Sequence, residues 1–95
     1  MFIVFLRFGA DKDRAKTFMD GHTAWIKQGF DDGVFLLAGS LQPAAGGTIL
    51  AHNTTLPDLT DRVNADPFVA ENVVVPEILE VSPSMTAAPL SFLTA

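Results

Sequence analysis

The sequence predicts an α+β fold of four strands and two helices in the order βαββαβ, on three observations. Apolar runs rich in β-branched and aromatic residues recur at residues 2–8, 34–40, 48–52 and 73–81. Apolar stripes at spacings of three and four occupy residues 15–30 and, more briefly, 56–63. Gly, Pro, Asn and Asp punctuate the chain between these segments. With right-handed crossovers the order gives a ferredoxin-like plait, an antiparallel four-stranded sheet with both helices on one face. The 95 residues allow a single domain, a core over 1–81 and a C-terminal tail over 82–95.

Residues 2–8 run apolar without a break and end at Gly9, the pattern of a strand buried on both faces, since a one-sided strand alternates. Asp11 or Asp13 caps the helix that follows. Ala15, Phe18, Met19, His22, Trp25, Ile26 and Phe30 form its apolar stripe, and Asp31-Asp32-Gly33 ends it. Val34 to Ser40 is a second strand, apolar on both sides through Phe35, Leu36 and Leu37. A Pro- and Gly-containing turn over 42–47 leads to a third strand, Thr48 to His52, which pairs with the second as a hairpin.

Asn53, Thr54 and Thr55 offer caps for a second helix, seated on the core by Leu56, Leu59 and Val63. Pro57 suits its first turn and Pro67 stops it, because the residue before a proline is pushed out of the α region. Val73 to Val81 is the last strand. Its Pro76 removes a ladder donor and favours an edge position or a bulge there. The tail is Pro-, Ser- and Ala-rich, with Leu90, Phe92 and Leu93 available to dock it weakly.

The two-sided strands have a consequence for assembly. Phe2, Val4, Leu6 and Phe8 point one way and Ile3 and Phe5 the other, while the plait covers only one face. Burying a Leu- or Phe-sized side chain is worth ~1.5–3 kcal/mol, and the bare face makes a larger apolar patch than monomers tolerate. A second copy packed sheet against sheet is expected, a homodimer.

Composition excludes several function classes. Lys and Arg number 6 against 11 Asp and Glu, a net charge of −5, so the chain has no overall electrostatic attraction to phosphate backbones or anionic lipid. Neither nucleic acid nor membrane is an expected partner. Without Cys there is no disulfide framework, thiolate metal cluster or Cys nucleophile. Met1 to Leu6 falls short of the roughly 7–15 apolar residues of a secretion signal, and no segment approaches the ~20 that span a bilayer, so a cytoplasmic protein is expected. With two His, no H-E-x-x-H spacing and too few oxygen ligands at Asp31-Asp32-Gly33 for a calcium loop, no metal and no other cofactor is expected. His52, at the end of the third strand, reads as exposed. Gly46-Gly47 is too short to cradle a phosphate and reads as a flexible hairpin entry.

His22 lies mid-stripe on the first helix, between Phe18 and Trp25. It is either a core histidine with one hydrogen bond or a general acid/base, its ordinary pKa of ~6.5 suiting proton transfer near neutrality. Asp66 follows Leu59 and Val63 at helical spacing, near the buried side, where an unpaired charge is costly. It either caps the chain at Asp66-Pro67-Phe68 or orients an imidazole as the third member of a hydrolytic triad does. Arg7 is the one cation of the first strand. It either pairs with Glu77 or Glu80 or anchors a phenolate or carboxylate ligand. Ser40 is a turn serine or a hydroxyl at a pocket mouth, with no nucleophile elbow around it. Trp25 and Phe68 are core residues or the aromatic walls of a site for a flat ligand.

These residues resemble the YCII-related (YciI-like) family, of the dimeric α/β-barrel type, over roughly residues 1–81. The resemblance rests on a first strand ending in Arg7, His22-x-x-Trp25 in the first helix, and Gly33 before a strand reaching Gly39-Ser40. It extends to Gly46-Gly47, Asp66-Pro67-Phe68 and a last strand ending Ile78-Leu79-Glu80-Val81. It implies a ferredoxin-like fold, dimerisation through the sheets, and a His–Asp pair at a pocket that falls on His22 and Asp66. One role in the family is a lyase that eliminates HCl from chlorinated hydroxyquinols; other members are accessory or fused domains. The tail lies outside the shared pattern.

The leading expectation is therefore a small dimeric acid/base enzyme acting on a small cyclic, oxygenated substrate by elimination or isomerisation. His22 moves the proton, Asp66 holds the imidazole, Arg7 and Ser40 hold substrate oxygens, and Trp25 and Phe68 line the pocket. The rival is a non-catalytic dimeric binding or accessory module in which the pair is structural. Oxidative ring chemistry, as in some other dimeric α/β barrels, is weaker, with no haem- or flavin-type signal to support it.

Overall fold

The computed structural model describes residues 1–94. Its elements are β1 (Phe2–Phe8), α1 (Ala15–Asp31), β2 (Phe35–Leu41), β3 (Gly46–Ala51), α2 (Leu56–Asn64), α3 (Pro67–Ala70) and β4 (Val74–Glu80). The strands form one antiparallel sheet in the order β2-β3-β1-β4, the ferredoxin-like α+β plait with one extra turn of helix, α3. Pro76 sits in β4, which is an edge strand, where its missing N–H interrupts no inner ladder.

The core lies between one sheet face and the helices. Phe2, Val4 and Leu6 of β1 are buried there, with Ile49 and Ala51 beside them on β3 and Leu59 and Val63 above them on α2. Ile3 and Phe5, on the other face, are only half buried, and Leu37, Val75 and Leu79 are exposed. Among the described residues no α-helix covers that face, so within one chain the strands are buried on one side only, and the two-sided apolar pattern is left unsatisfied.

Several local expectations change. Neither Asp11 nor Asp13 caps α1; a 3₁₀ turn at Lys12–Arg14 leads into the helix, and Arg14 occupies the N-cap without a side-chain bond. Gly33 ends α1 in the left-handed region at φ 73°, its N–H bonded to the carbonyl of Phe30. Gly29 is buried where α1 crosses β2, and a Cβ there would lie 2.1 Å from the Phe35 ring, so the close crossing requires glycine. Thr55 caps α2, accepting from the N–H of Asp58, and Pro57 sits in the first turn. Leu56 is exposed rather than seated on the core. β3 begins two residues earlier than expected, and His52 falls just beyond its end, half buried with its ring edge-on to Phe92 at 5.5 Å. In the tail, Ala88–Thr94 forms a 3₁₀ segment on which Leu90 and Phe92 stay exposed.

The largest surprise is how the second helical segment ends. α2 stops at Asn64, and Pro67 does not simply end it but opens α3, taking the first helical position where a missing N–H costs nothing. Asp66 is therefore not the last residue of α2's apolar stripe. It is the N-cap of the next helix, held extended at φ −62°, ψ 125° by the proline that follows.

Candidate functional site

As N-cap, Asp66 turns its carboxylate back over α3, and Oδ1 accepts the Phe68 N–H at 3.0 Å. The same oxygen lies 2.8 Å from Nδ1 of His22, forty-four positions earlier. An ionised carboxylate oxygen only accepts, so against an ionised Asp66 it is Nδ1 that donates, and the tautomer this selects leaves Nε2 as the acceptor nitrogen. The capping and dyad alternatives for Asp66 thus describe one arrangement. Asp66 is completely buried and its Oδ2 has no partner, so His22 is its only ionisable partner among the described residues.

Packing fixes the imidazole plane. The ring lies on Phe68, centroids 3.9 Å apart and planes 3° from parallel. Gly21 lets α1 approach α3 closely, since a Cβ there would meet the Pro67 ring at 3.1 Å. That approach is what brings the neighbouring His22 within reach of Asp66.

Beside this pair, between α1 and the helix-facing side of the sheet, lies a cavity of 360 Å³, at the lower end of the ~300–1,000 Å³ typical of small-molecule sites. Met19, His22, Thr23 and Ile26 of α1 form one wall. Leu6, Phe8, Ser40 and Gly47 of the sheet form another, with Phe68 at the end that holds the dyad. His22 is the only ionisable side chain on the wall among the described residues, and its side chain is 14% exposed. The remaining polar side-chain groups on the wall are the hydroxyls of Thr23 and Ser40; Thr48 borders the cavity through its backbone, since it pairs with Phe5 on the helix-free side, and its hydroxyl donates to the Val4 carbonyl.

Ser40 reaches the cavity because of a bulge. The β2–β3 register slips between Phe35 and Leu37, so Phe35 pairs with Ala51 but Leu37 with Leu50. Strict alternation from Phe35 would put residue 40 on the opposite face. The extra residue, Leu36, reverses the sidedness and turns Ala38 and Ser40 toward α1.

Arg7 and Trp25 lie off this cavity, each in the structural one of the two roles the sequence leaves open. Arg7 shares the helix-free face with Ile3 and Phe5 and pairs with Glu77 across β1 and β4, so it is turned away from the cavity. Trp25 does not line the cavity; it packs edge-on against Phe35 at 5.2 Å and donates Nε1–H to the carbonyl of Arg62. Of the six residues singled out, His22, Asp66, Ser40 and Phe68 are brought together, and Trp25 adjoins His22 with ring centroids 5.9 Å apart, outside the cavity wall. Sequence reasoning assigns Met19 only to the α1 stripe and Gly47 only to the hairpin entry, and passes over Thr23; the i, i+3 spacing of Met19 and His22 is the signal that puts Met19 beside the imidazole.

No family model matches the chain, and no curated protein matches it significantly. Among solved structures it is similar to the 5-chloro-2-hydroxyhydroquinone dehydrochlorinase of Burkholderia phenoliruptrix AC1100 in complex with 2,5-dihydroxybenzoquinone. The likeness covers 85% of this chain and 93% of that one, with a TM-score of 0.69 at 12% sequence identity. At that identity the two share a fold, and the fold is all that the likeness carries. Among the described residues, no helix is long and apolar enough to cross a membrane.

Proposed function

We propose that the chain is an acid/base enzyme of the lyase type, acting on a small, uncharged, cyclic and oxygenated substrate. The observation that carries this reading is the 2.8 Å contact between His22 Nδ1 and a fully buried carboxylate, beside a cavity whose wall holds no other ionisable group. Nε2 accepts a proton from the substrate, and the Asp66 carboxylate fixes the tautomer and balances the charge the ring acquires. In the elimination of HX, one proton passes to Nε2 and the halide leaves with the electron pair of its bond to carbon. The balance needs no oxidant. Isomerisation uses the same parts, the proton returning to another atom. Ser40 and Thr23 supply hydroxyls to substrate oxygens, and the lack of a wall cation among the described residues disfavours carboxylate or phosphate substrates.

The activity of the similar fold, loss of chloride from a hydroxyhydroquinone, is the specific reaction to try. The residue pattern around His22-x-x-Trp25 and Asp66-Pro67-Phe68 supports placing the chain with the YCII-related proteins. Ile3, Phe5, Leu37, Val75 and Leu79 on the helix-free face support a homodimer joined through its sheets.

A second reading is favoured by one observation. Asp66 also caps α3, so the pair fastens α1 to α3 whether or not it moves protons. The two readings separate in a chloride-release assay on 5-chloro-2-hydroxyhydroquinone and related halogenated hydroquinones. The enzyme reading expects release by the native protein and a ~10²–10⁴-fold lower rate for His22→Ala. No release across the panel, or an undiminished rate in a folded His22→Ala protein, leaves only the structural fastening.

A further inference from the structure

We infer that Gly47 is the position that sets the size and shape of the ligand, by leaving the sheet bare where a ring would lie. The inference rests on the reading of this cavity as a site for a cyclic substrate.

The adjacent glycines differ in kind. Gly46 has φ 125°, and a Cβ there would lie 2.0 Å from the Leu6 carbonyl oxygen, so its backbone demands glycine. Gly47 has no such demand, since its φ lies outside the left-handed region. It pairs with Leu6 on one side and Ser40 on the other, and both of these face the helices and line the cavity. A Cβ at Gly47 would meet one atom within 4 Å, the Gly39 carbonyl oxygen at 3.3 Å, from which the strand has to ease by a few tenths of an ångström, and otherwise project into empty space.

A glycine inside an ordinary strand loses packing and adds unfolded-state entropy, so its presence calls for a reason. Here the reason is spatial. Without a side chain at 47, the floor between Leu6 and Ser40 is peptide backbone, a flat surface opposite His22, Thr23 and Ile26 of α1. Such a slot accepts a planar ring and brings its edge to the imidazole. Each carbon added at 47 removes room from the ligand rather than from the protein core.

The test is binding of hydroquinone to the native protein, Gly47→Ala and Gly47→Val, followed by NMR at the His22 ring and the Thr23 amide. Melting temperature is read in parallel. The expected result is a graded loss, small for Gly47→Ala and about 10- to 100-fold for Gly47→Val, with melting temperature maintained, since a β-branched residue suits a strand. Unchanged affinity in Gly47→Val overturns the inference and leaves the dyad reading intact. An equal loss in both variants also overturns it, because chain stiffening rather than occupied space would then be the cause. Should Gly47→Val fail to fold, Gly47→Ala against 2-naphthol, a larger ring, still decides, with loss expected there and retention overturning the inference. If hydroquinone shifts nothing at His22 in the native protein, the ring-binding reading falls and this inference with it.

Discussion

The imidazole of His22 lies flat on the ring of Phe68, 3.9 Å between centroids, while its Nδ1 is tied to the carboxylate that caps Phe68's own helix. One side chain is thus oriented by stacking and by hydrogen bonding to consecutive parts of α3. Substituting His22→Ala removes both and leaves the buried Asp66 with only the Phe68 N–H. We expect a stability loss of ~1–3 kcal/mol in denaturant unfolding, in addition to any loss of turnover.

Asp66→Asn separates geometry from charge. Its amide oxygen still accepts from Nδ1 and from the Phe68 N–H, so the fold and the α3 cap should persist. The negative charge opposite the ring is gone, so turnover should fall at least tenfold while the unfolding midpoint stays close to native. Asp66→Ala, by contrast, should lose the cap as well, ~0.5–2 kcal/mol. Equal turnover in Asp66→Asn and native protein would show that the carboxylate acts by position alone.

Asp32, at the end of α1, is held below the ordinary carboxylate range by hydrogen bonds from Arg62 and then from Gln28. Its folded-state value is depressed, so its contribution to stability is present above the unfolded value of ~3.9 and is lost as pH falls through the folded one. A carboxyl NMR titration should show Asp32 ionising below the other exposed aspartates, and Arg62→Gln should return it toward them. The stability effect is small because the group is solvated.

The Gly29 crossing is a packing constraint. Gly29→Ala would drive a Cβ into the Phe35 ring, and Phe35 is already packed by Trp25 and Phe30. Thermal unfolding should report a loss of ~1–3 kcal/mol. A neutral result would mean that α1 rides on β2 more loosely than this geometry allows.

The sheet dimer is checked by placing charge on the helix-free face. Leu79→Lys should convert the sedimenting species from dimer to monomer while preserving helical and strand content. A native protein that sediments as a monomer at micromolar concentration removes the proposal.

Much of this molecule is legible from local pattern. Apolar runs and three-four spacings mark the four strands and both long helices, Pro76 points to an edge or a bulge, and chain order with right-handed crossovers leads to the plait. His22 and Asp66 stand out because a histidine in an apolar stripe and an aspartate near a buried side both need partners. These are short-range signals, set by the backbone repeat and by the cost of burying polar groups. What pattern could not decide was sidedness. Both faces of β1 are apolar, so alternation groups Arg7 with Ile3 and Phe5 without telling which face the helices take. Leu36 looks like any strand residue until pairing with β3 makes it a bulge and turns Ser40 toward α1. Pro67 reads equally as a stop or as a start until α3 packs beside Gly21. Register, helix placement and the meeting of His22 with Asp66 belong to contacts between distant segments, and those become definite only when the whole chain closes on its core.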